Sequence, residues 1–357
     1  MRICLVIPLF GSGGGQRFIS TISNFWSEAG HEVSIISLRK GDPFFSLSGN
    51  VSVRYLDYVE IKEKSKLNRL RSRLMTFFNL RNEIRKVNPD FVLSILSSTN
   101  VLTLLSTRML DIPVYVNDVM SPYRKRSLLE RKARKILYKR ANGIIALTEE
   151  AKIFIMNETG CKNVIVIPRP VKKIKDYPDI IKEKIILSVG RLHPDKGHKY
   201  LLQICKKLNR KDWKFVILGE GELQQSLIEL ANNLDIRDQI LFVGAVQNID
   251  PWLRKASVFA FTSISEAWGN ALTESMAAGV PSVSFDCDVA PRHIIEDGIN
   301  GYIVPLLDID AFVKKIEMLI DDPSLRDRIS KKAKTDSTKY DLRNVGNSIL
   351  DFCTIRK

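Results

Sequence analysis

Three short segments of the 357-residue chain carry residue types that could do chemistry. In 190-GRLHPDKG-197, Arg191 and Lys196 can converge on one anion, the arginine as a planar fork and the lysine as a point charge. That pair suits a diphosphate, and two solvated surface cations fit the same letters. In 263-SISEAWGNALTESMAAGVPSVSFD-286, Glu266 and Glu274 stand eight residues apart, and Gly269-Asn270 opens a predicted helix between them. A loop carboxylate, unused backbone N–H groups and a helix carboxylate can then hold a sugar hydroxyl, a phosphate and a ribose in a row. A Glu274 that only complements the helix dipole satisfies the pattern as well. In 11-GSGGG-15 the glycines let a backbone approach an anion at a helix N-terminus, or simply make a tight turn.

Other chemistries are disfavoured by what stands at fixed spacings. A dinucleotide fingerprint G-x-G-x-x-G meets Gln16 when counted from Gly11 and Phe18 when counted from Gly13. The second strand ends in Leu38-Arg39-Lys40, with no acid for a ribose, so hydride transfer is not indicated. A phosphate-binding Walker loop needs glycine at 195 and serine or threonine at 197, where the chain has Asp195 and Gly197. With only four histidines no metal-ligand cluster is expected. Asp286 and Asp288 flank Cys287 in 286-DCDVAP-291, as a structural turn or as part of a pocket wall. The five cysteines (Cys4, Cys161, Cys205, Cys287, Cys353) are odd in number and widely spaced, which fits reduced cytoplasmic thiols.

The elements that must position these segments alternate. Strands are predicted at 2–9, 32–38, 91–96, 113–118, 143–148 and 163–168, with helical stretches between them, so the first half reads as βαβ units on a parallel sheet. The stretch 169–183 is rich in proline and charge. The pattern then restarts with strands at 184–190, 213–221, 239–244, 257–263 and 281–286 and helices at 196–208, 222–234, 248–255 and 270–279. The reading is therefore α/β: two Rossmann-like, doubly wound domains facing across a cleft. The first spans 1–170, a linker 171–183, the second 184–335, and a terminal helix at 336–357 returns to the first. In such sheets ligands sit beyond the carboxyl ends of the strands, where all three segments fall.

Charge is unevenly spread. The net +15 resides in residues 61–86, at +7, and 124–140, at +8, while residues 181–357 net only +1. A uniform basic coat for nucleic acid is excluded, and no base-reading motif is present, which leaves a nucleic-acid binder as the remote alternative. In 62–86, Leu67, Leu70, Leu74, Phe77, Phe78 and Ile84 recur at helical spacing with cations around them, the pattern of a helix on an anionic membrane surface or of a core helix with a solvated back. Lys66, Arg69 and Arg73 here, and Arg124, Lys125 and Arg131 in the second segment, are the candidate membrane and acceptor patch. No run approaches the roughly 18 apolar residues of a membrane span.

Taken in order, 13-GGGQR-17, 190-GRLHPDKG-197, 219-GEGEL-223, Glu266…Glu274, 277-AAGVP-281 and 298-GINGYIVP-305 resemble the retaining nucleotide-sugar glycosyltransferases of the GT-B fold, family 4, of the bacterial surface-polysaccharide type. The resemblance spans almost the whole chain. It implies transfer of a hexosyl group from a UDP- or GDP-linked donor to a hydroxyl with retention, without a metal and with no cofactor beyond the donor itself. Arg191 and Lys196 would bind the donor diphosphate, Glu266 the transferred sugar and Glu274 the ribose. Gly14 and Gly15 would close over the phosphates. Gly190, Gly219, Val246, Gly269, Asn270 and Ala271 would complete the donor site. Asp118 in 116-VNDVMSPYR-124 is the match for a polar catalytic residue near the acceptor. Gln16 replaces an acid common in the family's glycine loop, and Val119 replaces a basic residue. With the two patches, the resemblance implies a polyprenyl-diphosphate-linked glycan as acceptor and a place on the inner face of the cytoplasmic membrane. A family member acting on a soluble sugar is the alternative. The oligomeric state is not legible.

Overall fold

The computed structural model describes residues 1–11, 13–56, 66–175 and 177–354. The chain divides into two compact units, residues 1–170 with 342–357, and residues 171–341. Among the described residues the first unit holds strands β1 (Arg2–Ile7), β2 (Glu32–Ser37), β3 (Ser52–Tyr55), β4 (Phe91–Ile95), β5 (Val114–Asp118), β6 (Gly143–Ala146) and β7 (Val164–Val166). They form one parallel sheet in the order β3-β2-β1-β4-β5-β6-β7. Its helices are α1 (Gly14–Glu28), α2 (Lys66–Val87), α3 (Ser97–Ser106), α4 (Leu128–Leu137) and α5 (Glu149–Thr159).

The strands are apolar on both faces because both faces are covered, as a parallel sheet requires. Ile3, Leu5 and Ile7 pack towards Ile19, Ile22 and Trp26 of α1. Their alternates Cys4 and Val6 pack on the opposite face with Leu80 and Ile84 of α2 and Leu104 of α3. The short β3, unforeseen in the sequence, is only half-buried along SVRY and pairs with β2 at the sheet's edge.

The second unit repeats the plan with β8 (Ile185–Val189), β9 (Lys214–Leu218), β10 (Ile240–Gly244), β11 (Val258–Phe261), β12 (Ser282–Phe285) and β13 (Tyr302–Val304), ordered β10-β9-β8-β11-β12-β13. Counted within its own unit this is the doubly wound order 3-2-1-4-5-6, and the first six strands of the other sheet share it. The helices are α6 (His198–Leu208), α7 (Gln224–Asn233), α8 (Asp250–Lys255), α9 (Asn270–Ala277), α10 (Pro291–Ile294), α11 (Ile309–Asp321) and α12 (Pro323–Asp336). The stretch read as a linker is folded into this unit: Val171 bridges to Asp341, Ile174 is buried, and Lys172 forms an ion pair with the buried Asp250 at 3.4 Å.

The last helix, α13 (Leu342–Thr354), packs on α1 in the first unit. Trp26 Nε1 donates to the Gly346 carbonyl at 3.2 Å. A Cβ on Gly346 would stand 2.5 Å from Phe25 Cε1, so only glycine lets the helices approach this closely. Gly346→Val is expected to cost about 1–3 kcal/mol by overpacking. Urea unfolding of the variant checks this, and an unchanged midpoint would remove the constraint.

Candidate active site

In each sheet the strand order reverses beside the first strand, and the crevice outside the carboxyl ends there is where open α/β sheets bind ligands. In the second unit this point lies between β8 and β11, and the loops leaving these two strands carry the sequence-predicted groups. From β8 the chain runs beside the end of β9: Gly190 N donates to Leu218 O and Leu192 N to Glu220 O, both at 2.9 Å. Gly219 N in turn donates to Gly244 O at 2.8 Å, which brings the loop holding the half-buried Val246 alongside. His193 then caps a short 3₁₀ turn, Pro194–Lys196, accepting from Asp195 N at 3.3 Å.

The turn is stitched to the loop beyond β11. Ile264 N donates to Asp195 O at 2.8 Å, and Thr262 Oγ1 to Lys196 O at 3.2 Å. Gly197 has φ +63°, and a Cβ there would lie 2.0 Å from the Thr262 carbonyl oxygen. This stitching places the Lys196 ammonium in an ion pair with Glu266, whose Oε1 also accepts from Ser263 Oγ at 3.1 Å. Both side chains remain partly open to solvent. Arg191 is exposed and has no ion pair among the described residues. Arg191 and Lys196 stand on the same loop, and Glu266 is held beside the lysine as a hydrogen-bond acceptor.

Gly269 precedes α9, whose first turn holds no acid and receives no side-chain cap, so the amides of Asn270 and Ala271 are oriented by the helix for an acceptor. Glu274 lies beyond that first turn and is 4% exposed, so compensation of the helix dipole at the surface does not account for it. The Asp286 and Asp288 carboxylates are engaged: Asp286 pairs with Arg292 Nε at 3.0 Å, and Asp288 accepts from Ser265 Oγ at 2.5 Å. Burial first, then Glu266 and Asp288, push the Cys287 thiol up and keep it neutral. No group of three histidine, cysteine or acidic side chains able to hold a metal occurs among the described residues.

The sequence reading missed His198, the first residue of α6. It is buried, and burial, helped by the nearby Lys196 charge, pulls its pKa down to about 4. Nothing in the local letters marks it as buried, because the loop that covers it arrives from residue 190 and beyond.

In the first unit Gly14 and Gly15 open α1 just beyond β1, at that sheet's own switch point. Asp118, at the end of β5, is buried, and Arg134 Nη1 lies 2.5 Å from its Oδ2. Arg134 is 0% exposed, donates to Glu158 Oε2 at 2.7 Å and to Tyr138 Oη at 2.9 Å, and Asn100 joins Tyr138 at 3.2 Å. Burial opposes the guanidinium charge, but Asp118, Tyr138 and Glu158 outweigh it and hold the pKa above its ordinary value. The 124–140 charge run is not one outward-facing basic helix. Ser127 caps the helix by accepting from Glu130 N, so it begins at Leu128, and Arg134 points inward.

The rest of α4 faces out. Leu128, Leu129 and Ile136 are 75%, 75% and 67% exposed among the exposed Arg131, Lys132 and Lys135, with Arg124 and Lys125 just before them. On α2, Leu80 and Ile84 are buried while Leu74, Met75 and Phe78 are exposed, so this helix presents apolar residues on two sides. The side chains of Lys66, Arg69 and Arg73, and residues 61–65, lie outside the described residues. No helix among the described residues is long and apolar enough to cross a membrane.

Comparison with known proteins joins these features. The family described as Glycosyltransferase Family 4 matches residues 12–173, and Glycosyl transferases group 1 matches residues 172–336. The chain is 26% identical over 351 residues to an α-1,4-N-acetyl-D-galactosaminyltransferase of Campylobacter jejuni named for a diphospho-undecaprenol-linked glycan, covering 97% of this chain and 96% of that one. It is 26% identical to an amylovoran biosynthesis glycosyltransferase of Erwinia amylovora, covering 95% of each. The fold is that of Anabaena HepE, solved with UDP and glucose, at a TM-score of 0.82 and 16% identity over the whole of both chains.

His198 gives the site's unit a defined pH response. Below pH 6.5 the unfolded chain takes up a proton on this residue while the folded protein does not, down to about pH 4. Its contribution is therefore complete above pH 6.5 and falls by up to about 3 kcal/mol as the pH drops to about 4. Denaturant unfolding at a series of pH values is expected to show a shallower acid loss for His198→Leu than for the unaltered protein. Superimposable profiles would contradict the assignment.

Proposed function

The chain belongs to the family 4 glycosyltransferases of the GT-B fold, and we propose that it moves a hexosyl or N-acetylhexosaminyl group from a UDP- or GDP-linked donor to a hydroxyl of a polyprenyl-diphosphate-linked glycan in surface-polysaccharide synthesis. The observation that carries the reading is the pairing of Lys196 with Glu266 at the carboxyl ends of β8 and β11, with Arg191 and the N-terminus of α9 on the same loops. The names of the Campylobacter and Erwinia relatives support the substrate class, and the UDP bound by the Anabaena protein supports the donor class.

In this reading the donor diphosphate lies against Arg191, Lys196, Gly190 and Gly219. Glu266 accepts from a sugar hydroxyl, Glu274 from the ribose, and the loop around Val246 lines the base. Asn270 and Ala271 present amides to the sugar or phosphate. The bond between the anomeric carbon and the β-phosphate oxygen breaks as the acceptor oxygen attacks from the same face, so the configuration is retained. The departing β-phosphate oxygen takes the acceptor's proton. Arg191, Lys196 and the α9 N-terminus meet the charge growing on that phosphate, the kind of preorganised stabilisation that dominates such reactions. Neither a metal nor another cofactor is assigned a part. Asp118 acts by fixing α4 through Arg134.

Peripheral attachment to an anionic cytoplasmic leaflet belongs to the same proposal. Leu128, Leu129 and Ile136 would enter the interface while Arg124, Lys125, Arg131, Lys132 and Lys135 meet headgroups, at about 1 kcal/mol per cation. This exposed mixture favours a lipid-linked acceptor over a soluble sugar.

Arg191→Ala and Lys196→Ala are each expected to lose more than about 2 kcal/mol of transition-state stabilisation, roughly thirtyfold in kcat/KM. The assay is nucleotide release in a UDP- and GDP-sugar screen with lipid-linked acceptors. Near-normal turnover in both variants would sink the roles assigned to them. For the attachment, co-sedimentation with anionic vesicles is expected to exceed that with neutral ones, and to fall in Leu128→Ser/Leu129→Ser. Equal binding to the two vesicle types would count against the surface.

A further inference from the structure

Lys196 reaches Glu266 from the end of the short turn Pro194–Lys196. Within that turn Lys196 N donates to His193 O at 3.0 Å and Gly197 N to Pro194 O at 3.1 Å. Proline brings no N–H, so the first amide of the turn is that of Asp195. It finds its acceptor in the imidazole Nδ1 of His193, at 3.3 Å. Asp195 is also where the turn meets the loop beyond β11, since its carbonyl accepts from Ile264 N at 2.8 Å. One residue therefore carries both the cap and the stitch, and Glu266 lies two positions after Ile264. Leu192, just before the histidine, is tied to the loop after β9, where Leu223 N donates to Leu192 O at 3.1 Å.

An imidazole nitrogen accepts only while it has no proton, so this cap requires the form protonated on Nε2. Nε2 faces Glu222 Oε1 at 3.9 Å. Serine, threonine, asparagine and aspartate are the usual caps, and they keep an acceptor near neutrality. A histidine is a cap that a proton withdraws. With a second proton Nδ1 becomes a donor, set against the Asp195 N–H, and it faces Asp195 Oδ2 at 3.4 Å instead. Among the described residues the carboxylates paired with the ring are Asp195, on the same turn, and Glu222, from the loop after β9. Both offer the imidazolium an alternative to the amide. The neighbouring cation, Lys196, is turned to Glu266.

We infer that His193 is a positioning residue for Lys196: its unprotonated Nδ1 fixes the Asp195 amide and, through the turn, the Lys196 ammonium beside Glu266, and a proton on Nδ1 loosens that placement. The consequence for turnover rests on the transfer reading above, whereas the consequence for the lysine does not.

The test labels the full chain with a trace of an amine-acylating ester at about pH 8 and about pH 6, which bracket imidazole titration. Peptide mass spectrometry then compares Lys196 with Lys184, which is paired with Asp212 at 2.8 Å and precedes β8 at its opposite end. His193→Leu removes the acceptor, and His193→Asn keeps one that does not titrate. Labelling of Lys196 relative to Lys184 is expected to rise in His193→Leu at both pH values, to rise in the unaltered protein only at the lower one, and to stay low in His193→Asn. In steady state His193→Leu is expected to lower kcat/KM by about tenfold or more, since a displacement of about 1 Å can cost on the order of a hundredfold. His193→Asn is expected to recover most of that loss and to show a smaller fall towards acid than the unaltered protein. Three results overturn the inference: equal labelling of His193→Leu and the unaltered protein at the higher pH, His193→Asn behaving as His193→Leu, or a labelling ratio of the unaltered protein that ignores pH. Should His193→Leu fail to fold, the unaltered protein and His193→Asn decide between them across pH. Labelling as expected without turnover keeps the inference and sinks the transfer reading, and normal turnover with unresponsive labelling does the reverse.

Discussion

At Gly197 two backbones come so close that a Cβ would lie 2.0 Å from the Thr262 carbonyl oxygen. That approach fixes the distance between the loop leaving β8 and the loop leaving β11, and the arrangement of the second unit's site follows from it. With the loops in register, the Asp195 and Lys196 carbonyls receive bonds from Ile264 and Thr262, and the Lys196 ammonium reaches Glu266. A side chain at 197 would part the loops and undo the pairing without touching either charged group. Backbone fit precedes electrostatics here, since neither charged group is held in place by the other alone.

The two units use charge in different ways. The second is close to neutral and relies on a few cations fixed by turn geometry. The first carries almost the whole excess, and α4 shows how such a surplus is divided. Arg134 turns inward, where two carboxylates and a phenol hold it, while Arg131, Lys132 and Lys135 turn outward among exposed leucine and isoleucine. One helix therefore ties the end of β5 to a surface of mixed apolar and basic character.

Much of this was legible in the letters. Continuous apolar runs marked eleven of the thirteen strands found among the described residues, and with them the doubly wound plan, because strands buried on both faces read as continuous hydrophobic stretches. The motif segments could be placed after strands for the same reason. What escaped depends on distance in space. SVRY of β3 and YIV of β13 are too short and too mixed to stand out, and they become strands by pairing with β2 and β12. The 124–140 charge run counted Arg134 with its neighbours, since a sum cannot say which way a side chain points. Burial of His198 follows from the path of the loop at Gly190, where a Cβ would lie 3.7 Å from the imidazole. The ion pair between Lys196 and Glu266 joins residues 70 apart.

The contact between Trp26 and Gly346 bridges 320 residues, and the whole second unit lies between the two. On a ribosome adding about 5–20 residues per second, that interval lasts roughly 15–60 s. The second unit, being continuous, can fold within it, while the first waits with Phe25 and Trp26 of α1 lacking their cover. The half of the molecule that is translated first is thus finished last. Its waiting apolar helix gives holdase chaperones a natural window in which to act.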